Sequence, residues 1–174
     1  MDALPVGIFV TIETIIGNMA MQRKKLELQN FLPYRLSVLA NTVSSSIAAG
    51  YAERFGLSIA EWRVMAVLGN EPGLSAAEVA ARTAMDKVAV SRAVTSLLKT
   101  RRLERRTAAG DRRRSMLRLS AKGTEVYARV VPMALACEQH LLEPLSRRDR
   151  QHLDRLLRIL QAQAGLPLPA RETH

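Results

Sequence analysis

Between Ser58 and Ser120 the hydrophobic repeat changes from spacings of three and four to a spacing of two, which restricts this stretch to short helices closed by a hairpin. Ser58 with Glu61, and Ser75 with Glu78, have the capping-box spacing, in which each side chain satisfies a free amide of the first helical turn. The first box predicts a helix through Trp62, Met65 and Leu68 that stops at Glu71-Pro72-Gly73; the second predicts a short helix to about Thr83. Asp86 is placed to cap another helix from Lys87 to about Thr100. Leu103 to Thr107, a turn at Ala108-Ala109-Gly110-Asp111, and Arg114 to Ser120 then read as a β-hairpin. In its second strand Leu117 and Leu119 alternate with Met116 and Arg118.

The flanks are helical throughout. Leu36, Leu39, Val43, Ile47 and Tyr51 form a stripe ending near Phe55-Gly56. Ser120 caps a long helix with apolar positions Val126, Val130, Met133, Cys137 and Leu141, which Pro132 is expected to kink. Ser146 with Asp149 opens a last helix bearing Leu153, Leu156, Leu157 and Leu160. Three apolar stripes exceed what one subunit of this size buries, so a homodimer is expected over a monomeric bundle.

Charge locates the functional surface. Of the 26 cations, 12 fall in residues 82 to 118 against only Asp86, Glu104 and Asp111, so this segment carries +9 of the net +10. That concentration points to a polyanion rather than a solvated basic face. On a helical wheel Val90, Val94, Leu97 and Leu98 take one side of the helix from Lys87, while Val88, Arg92, Thr95 and Lys99 take the other.

A capped helix, a turn, a second helix with a free polar face and a basic hairpin make a winged helix-turn-helix. The fold class is therefore mainly α with a small β-hairpin wing, joined to a helical dimerisation domain. The expected boundaries are 1-30 for an N-terminal extension, 31-57 with 121-164 for dimerisation, 58-120 for the winged helix-turn-helix, and 165-174 for a frayed tail. A major groove about 12 Å wide admits such a helix, and a two-stranded wing can bring arginine to the narrower groove. Ser75, Lys87, Val88, Ala89, Ser91, Arg92, Thr95, Lys99, Arg105, Arg106, Asp111, Arg112, Arg113 and Arg114 are the candidate DNA-binding residues. Ser91, Arg92 and Thr95 suit base edges and phosphates, whereas Lys99, Arg105 and Arg106 suit the backbone. Lys87 and the amides at the start of its helix are placed for a phosphate. Asp111 is placed to hold Arg113 by a charge-assisted hydrogen bond.

These residues resemble the MarR-type winged-helix transcription regulators from about Phe31 to Gln163. The run Glu71-Pro72-Gly73-Leu74-Ser75, the segment Asp86-Lys87 through Val90-Ser91-Arg92, Leu103-Glu104-Arg105-Arg106, and Asp111-Arg112-Arg113-Arg114 leading to Leu117-Arg118-Leu119-Ser120-Ala121-Lys122-Gly123 carry the resemblance. It implies a homodimer built from the first and last helices, a recognition helix with Ser91-Arg92, and an aspartate-supported wing arginine. It also implies repression of nearby genes, relieved when a small, often phenolic, ligand binds between the dimer and DNA-binding parts. With the two-fold dimer expected above, the partners are double-stranded DNA with a pseudo-palindromic site and a small aromatic or anionic effector. The chain departs from the family where Arg101 replaces a usual glycine and Arg102 an apolar residue, and where Val88 and Ala89 stand at often hydroxylic positions. A left-handed Arg101 would cost about 1 kcal/mol relative to glycine.

Other features are weighed more briefly. Trp62 and Arg63 are candidate effector contacts, with a core anchor and a surface ion pair as the plainer roles; Arg35 is a further candidate for an anionic ligand. Cys137 reads as a spacer on its helical stripe rather than a redox sensor, since the redox-sensing relatives place their cysteine near the first helix. No cofactor or metal site is expected: His140 and His152 lack ligand-spaced partners, and one cysteine fits a reducing, cytoplasmic compartment. An enzyme is not expected, because no phosphate-cradling glycine loop, serine elbow or paired carboxylates are present. The alternatives are a protein-docking winged helix or an architectural nucleic-acid-binding module. The apolar run Leu4 to Ile16 is too short for a membrane span and lacks a signal peptide's cationic start. Either the physiological start lies at Met19 or Met21, or the leading residues form an arm on a partner subunit.

Overall fold

The computed structural model describes residues 25–108 and 111–165, with backbone alone at 107, 108 and 111–114. The expectations for residues 1–24, for the tail beyond Gly165 and for the side chains of the wing tip concern residues outside those described. The chain divides into two units, Met1–Ala40 and Asn41–His174. In the first, a 3₁₀ turn over Leu28–Asn30 precedes the opening turns of helix α1 (Leu32–Phe55). Every described residue of this unit is exposed, including Leu36 and Leu39 of the sequence stripe.

The second unit holds the rest of α1, then α2 (Ile59–Asn70), α3 (Ala76–Thr83), α4 (Lys87–Lys99), β1 (Leu103–Ala108), β2 (Asp111–Leu119), α5 (Ala121–Leu142) and α6 (Arg147–Gln163). Every helix start expected from a cap forms that cap. Ser58 and Glu61, Ser75 and Glu78, and Ser146 and Asp149 each close a reciprocal capping box. Asp86 accepts from the amides of Val88 and Ala89, and Ser120 accepts from Gly123. The helix α5 runs unbroken through Pro132.

The core lies where the sequence period changes. Val64, Met65 and Leu68 of α2, Val79 of α3, and Val90, Val94 and Leu97 of α4 close on Leu103 and Leu117 of the wing. Burying each such side chain stabilises the fold by about 1.5–3 kcal/mol. Tyr51 of α1 and Val126 and Val130 of α5 complete the cluster, whereas Leu141 is exposed and α6 has no buried residue.

Three local features differ from the sequence reading. The strands run to Ala108 and from Asp111, with a register irregularity at Thr107 and Ala108, so both strands take in residues expected in the turn. Leu74 adds a third edge: Leu117 donates its amide to Leu74 (2.7 Å) and its carbonyl accepts from Gly73 (2.9 Å). Ala84 also adopts a left-handed conformation between α3 and α4.

Arg101 adopts the left-handed conformation, with φ of 56°. Its amide donates to Leu98 (3.0 Å) and that of Arg102 to Leu97 (2.8 Å). These are the two bonds of a Schellman helix end, here with arginine where glycine is usual.

Glu61 does more than cap α2. One carboxylate oxygen accepts from the Ser58 amide (2.7 Å) and the other from the Ser96 hydroxyl on α4 (2.6 Å). Burial raises its pKa, but hydrogen bonds from Ser96 and Ser58 and the charge of Arg102 outweigh burial and hold it below the usual glutamate value. Its ionised form therefore stabilises the fold above the unfolded-state pKa, and this contribution fades as pH falls through the lower folded-state value. Glu61→Ala should cost about 2–4 kcal/mol in urea unfolding at pH 7. With Glu61→Gln, the stability gap to the parent should stay flat above about pH 5 and narrow below about pH 4. A gap independent of pH throughout would refute the role of the charge.

Candidate nucleic-acid interface

The helix α4 offers two faces of opposite character. Val90, Ala93, Val94 and Leu97 are buried, and Leu98 is half-buried. Lys87, Val88, Ser91, Arg92, Thr95 and Lys99 are exposed on the side the wheel predicted, with Val88 59% exposed despite being apolar. Ala89 is half-buried and lines a cleft of about 380 Å³ with Arg92, Ser96, Ser58 and Glu61.

The amides at the head of α4 are already committed. Asp86 Oδ1 accepts from Val88 (2.9 Å) and Ala89 (2.8 Å), so a carboxylate occupies the place expected for a phosphate. That leaves the Lys87 side chain, which is exposed, as the candidate there. Ser75 is similarly engaged: its hydroxyl donates to Glu78 Oε2 (2.6 Å) and accepts from the Glu78 amide (3.3 Å).

The basic segment is less free than its sequence charge suggests. Arg82 pairs with Glu71 (2.7 Å), and Arg118 pairs with Glu104, directly opposite in the hairpin register. Arg102 turns inward, where Nη2 donates to the carbonyl of Phe55. Arg105 and Arg106 remain exposed, with Arg106 3.8 Å from Glu104. Asp111, Arg112, Arg113 and Arg114 lie on β2, and their side chains lie outside the described residues.

The candidate effector residues fall on α2. Trp62 is half-buried, stacked on Tyr127 at 5.9 Å and tilted against Tyr51 at 5.7 Å. Arg63 donates to Ser44 (3.0 Å). Burial raises the pKa of the Tyr51 hydroxyl, with the Arg63 charge opposing. A separate cleft of about 260 Å³ runs past Gly69, Arg118, Thr124 and Tyr127, beside this aromatic row. Among the described residues no group of three side chains is arranged to hold a metal ion, and no helix is long and apolar enough to cross a membrane.

The inward turn of Arg102, the Ser96 bond to Glu61 and the Leu74 edge escaped the sequence reading. Ser96 left a signal, since it stands three residues after Ala93 on the core side of α4, and so did Arg102, which stands where the resemblance places an apolar residue.

Comparison with known proteins agrees with this geometry. The sequence model of the MarR family matches residues 55–114. A MarR/EmrR family transcriptional regulator from Acinetobacter sp. ADP1 is 26% identical, with a TM-score of 0.74 over 80% of this chain and 99% of its own. The PcaV transcriptional regulator from Streptomyces coelicolor, solved with its natural ligand, is 22% identical, with a TM-score of 0.68 over 81% of this chain and 99% of its own. The transcriptional repressor CouR, bound to a 23-mer DNA duplex, is 24% identical, with a TM-score of 0.67 over 80% of this chain and 99% of its own. A comparison with curated proteins finds no match.

The two faces of α4 should separate in stability measurements. Ser91→Ala, Arg92→Ala and Thr95→Ala should each shift unfolding by less than about 0.5 kcal/mol, because all three residues are exposed. Val94→Ala should cost about 2 kcal/mol or more by opening a core cavity. Equal losses on both faces in urea titrations would overturn the division.

Proposed function

Given a chain that carries the winged helix-turn-helix of the MarR transcriptional regulators, we propose that it is a sequence-specific double-stranded DNA-binding regulator that acts as a homodimer. The exposed polar face of α4, on a helix locked into the core by its other side, is the observation that carries this reading. A rigid helix can hold side chains in register with base edges only if its back is fixed. Ser91, Arg92 and Thr95 then read the major groove, and Val88 meets a thymine methyl where a hydroxyl would hydrogen-bond. Lys87, Lys99, Arg105 and Arg106 contact phosphates, and one arginine of Arg112 to Arg114 enters the minor groove with Asp111 beside it.

The homodimer is supported by apolar faces that the described residues leave partly exposed. Leu153, Leu156, Leu157 and Leu160 of α6 are 39% to 48% exposed, and Leu36 and Leu39 of α1 are 41% and 53% exposed. Such stripes on amphipathic helices call for a partner. In this reading 31-57 and 121-164 form the dimerisation region and 58-120 the DNA-binding region, at work in the cytoplasm on a pseudo-palindromic site. Repression relieved by a small aromatic or anionic effector near Trp62 and Arg63 completes the proposal; PcaV, with its natural ligand, and CouR, on DNA, are similar proteins for which those states exist.

Fluorescence anisotropy against the duplex upstream of the gene, with a random duplex as control, tests the reading across a salt series. Binding should be selective and fall steeply with salt through counterion release. Arg92→Ala should cost about 1–3 kcal/mol and narrow the gap between the two duplexes. Salt-steep binding without selectivity would favour an architectural role, and no binding at low salt a protein-docking one. Light scattering should give twice the 19.3 kDa of one chain, and Leu157→Glu should reduce that mass towards one.

A further inference from the structure

Four chain segments converge on Arg101 and Arg102. The end of α4 reaches them through its Schellman bonds. The start of β1 follows directly. The start of α5 is tied to them twice and to the preceding residue once: the Ser120 amide donates to the Arg102 carbonyl (3.0 Å), the Ser120 hydroxyl donates to the Arg101 carbonyl (2.7 Å), and Lys122 Nζ donates to the Thr100 carbonyl (3.1 Å). Gly123 lies so close that a Cβ there would stand 1.9 Å from the Arg102 carbonyl oxygen. The fourth segment is the end of α1, held from two sides: Arg102 Nη2 bonds the Phe55 carbonyl, and the Arg129 guanidinium of α5 covers the Phe55 ring at 5.0 Å.

Arg102 is an unusual choice for this place. Its Nε is buried and has no hydrogen-bond partner, and it is the only such side-chain nitrogen or oxygen among the described residues. An unbranched apolar side chain would fill the same space without stranding a donor. What it could not do is reach across to the last carbonyl of α1 and fix where that helix ends. The chemistry of Arg102 thus favours a defined position over maximal stability.

We propose that Arg102 is a positioning residue for DNA recognition, fixing the end of α1 and the start of α5 against α4 and the wing, and so setting the separation at which two copies present their α4 helices. This rests on the DNA-binding dimer proposed above. If α1 and α5 belong to the dimer and α4 to the DNA, Arg102 stands at the joint between them. Freedom at that joint would change the half-site spacing a dimer accepts without altering which bases each copy reads. Phosphate or base contacts made by Arg102 itself have no place in the proposal, since its guanidinium points into the protein.

The test compares the full-length parent with Arg102→Met and Arg102→Lys on duplexes whose half-site separation is one base pair shorter than, equal to, or longer than the best. Each step rotates one half-site by roughly 35° about the helix axis. The parent should lose about tenfold or more in affinity at either changed spacing. Arg102→Met should lose about threefold or less, with its thermal midpoint within about 4 °C of the parent, and Arg102→Lys should fall between. A parent-like spacing profile in Arg102→Met would overturn the proposal. So would an equal loss at all spacings accompanied by a lower midpoint, which marks a purely structural residue. If the parent binds no duplex selectively, the DNA-binding reading fails, and hydrogen exchange judges Arg102 alone. Amides of Gly56 and Leu57 should then exchange about tenfold faster in Arg102→Met, with Val94 and Leu97 unchanged. Unchanged exchange at Gly56 and Leu57 would refute the joint.

Discussion

A single carboxylate, that of Glu61, ties together the parts on which the rest of the fold depends. It closes the N-terminus of α2 through Ser58 and receives the Ser96 hydroxyl from α4, so it fixes α4 on α2 with a directional bond inside an otherwise apolar contact. Apolar packing alone leaves helices free to rotate or slide, because the hydrophobic effect is not directional. A hydrogen bond to a charged group is directional and contributes about 1.5–3 kcal/mol. The nearby charge of Arg102 offsets part of the cost of burying Glu61, so the helix contact and the α1 joint share one electrostatic centre.

Rotational fixing of α4 decides what its outer face can be. With Val90, Ala93, Val94 and Leu97 held in the core, the 100° step of the helix puts Ser91, Arg92 and Thr95 in solvent. The surface is thus a by-product of the core. Its electrostatics follow from subtraction: the segment's charge of +9 includes Arg82 and Arg118, which are paired, and Arg102, which faces inward. What remains outward is grouped on α4 and the wing rather than spread evenly.

The sequence made the helix starts legible because capping is local. Ser58 with Glu61, Ser75 with Glu78, and Ser146 with Asp149 need only three residues of context, and all three boxes form. The left-handed Arg101 was legible as a condition, since a helix must end before the hairpin begins. The inward turn of Arg102 was hinted at only by its standing where the resemblance places an apolar residue; its partner, the Phe55 carbonyl 47 residues away, was not legible. The pairing of Leu74 with Leu117 was hidden for the same reason: a one-residue bridge has no periodicity. The DNA contacts remain a proposal, drawn from residue chemistry in the sequence and exposure in the structure.

The stripe of α5 grades from Val126 and Val130, buried in the core, through the half-buried Met133 and Cys137 to the exposed Leu141. Over α6 every leucine of the stripe is bare, although its capping box and its Arg158–Asp154 pair are fully formed. An isolated helix of this length is marginal in water, and most helical stability in proteins comes from packing an amphipathic face. The local devices that start α6 cannot by themselves keep it folded, so the apolar side of α6 needs a cover that the described residues do not provide. In the homodimer proposed above, a second copy would supply an identical stripe, and self-complementary burial about a two-fold axis would cover both at once. Under that proposal, folding of the outer helices and pairing of two DNA-reading surfaces become one event, which would couple stability to the symmetry of the proposed pseudo-palindromic site.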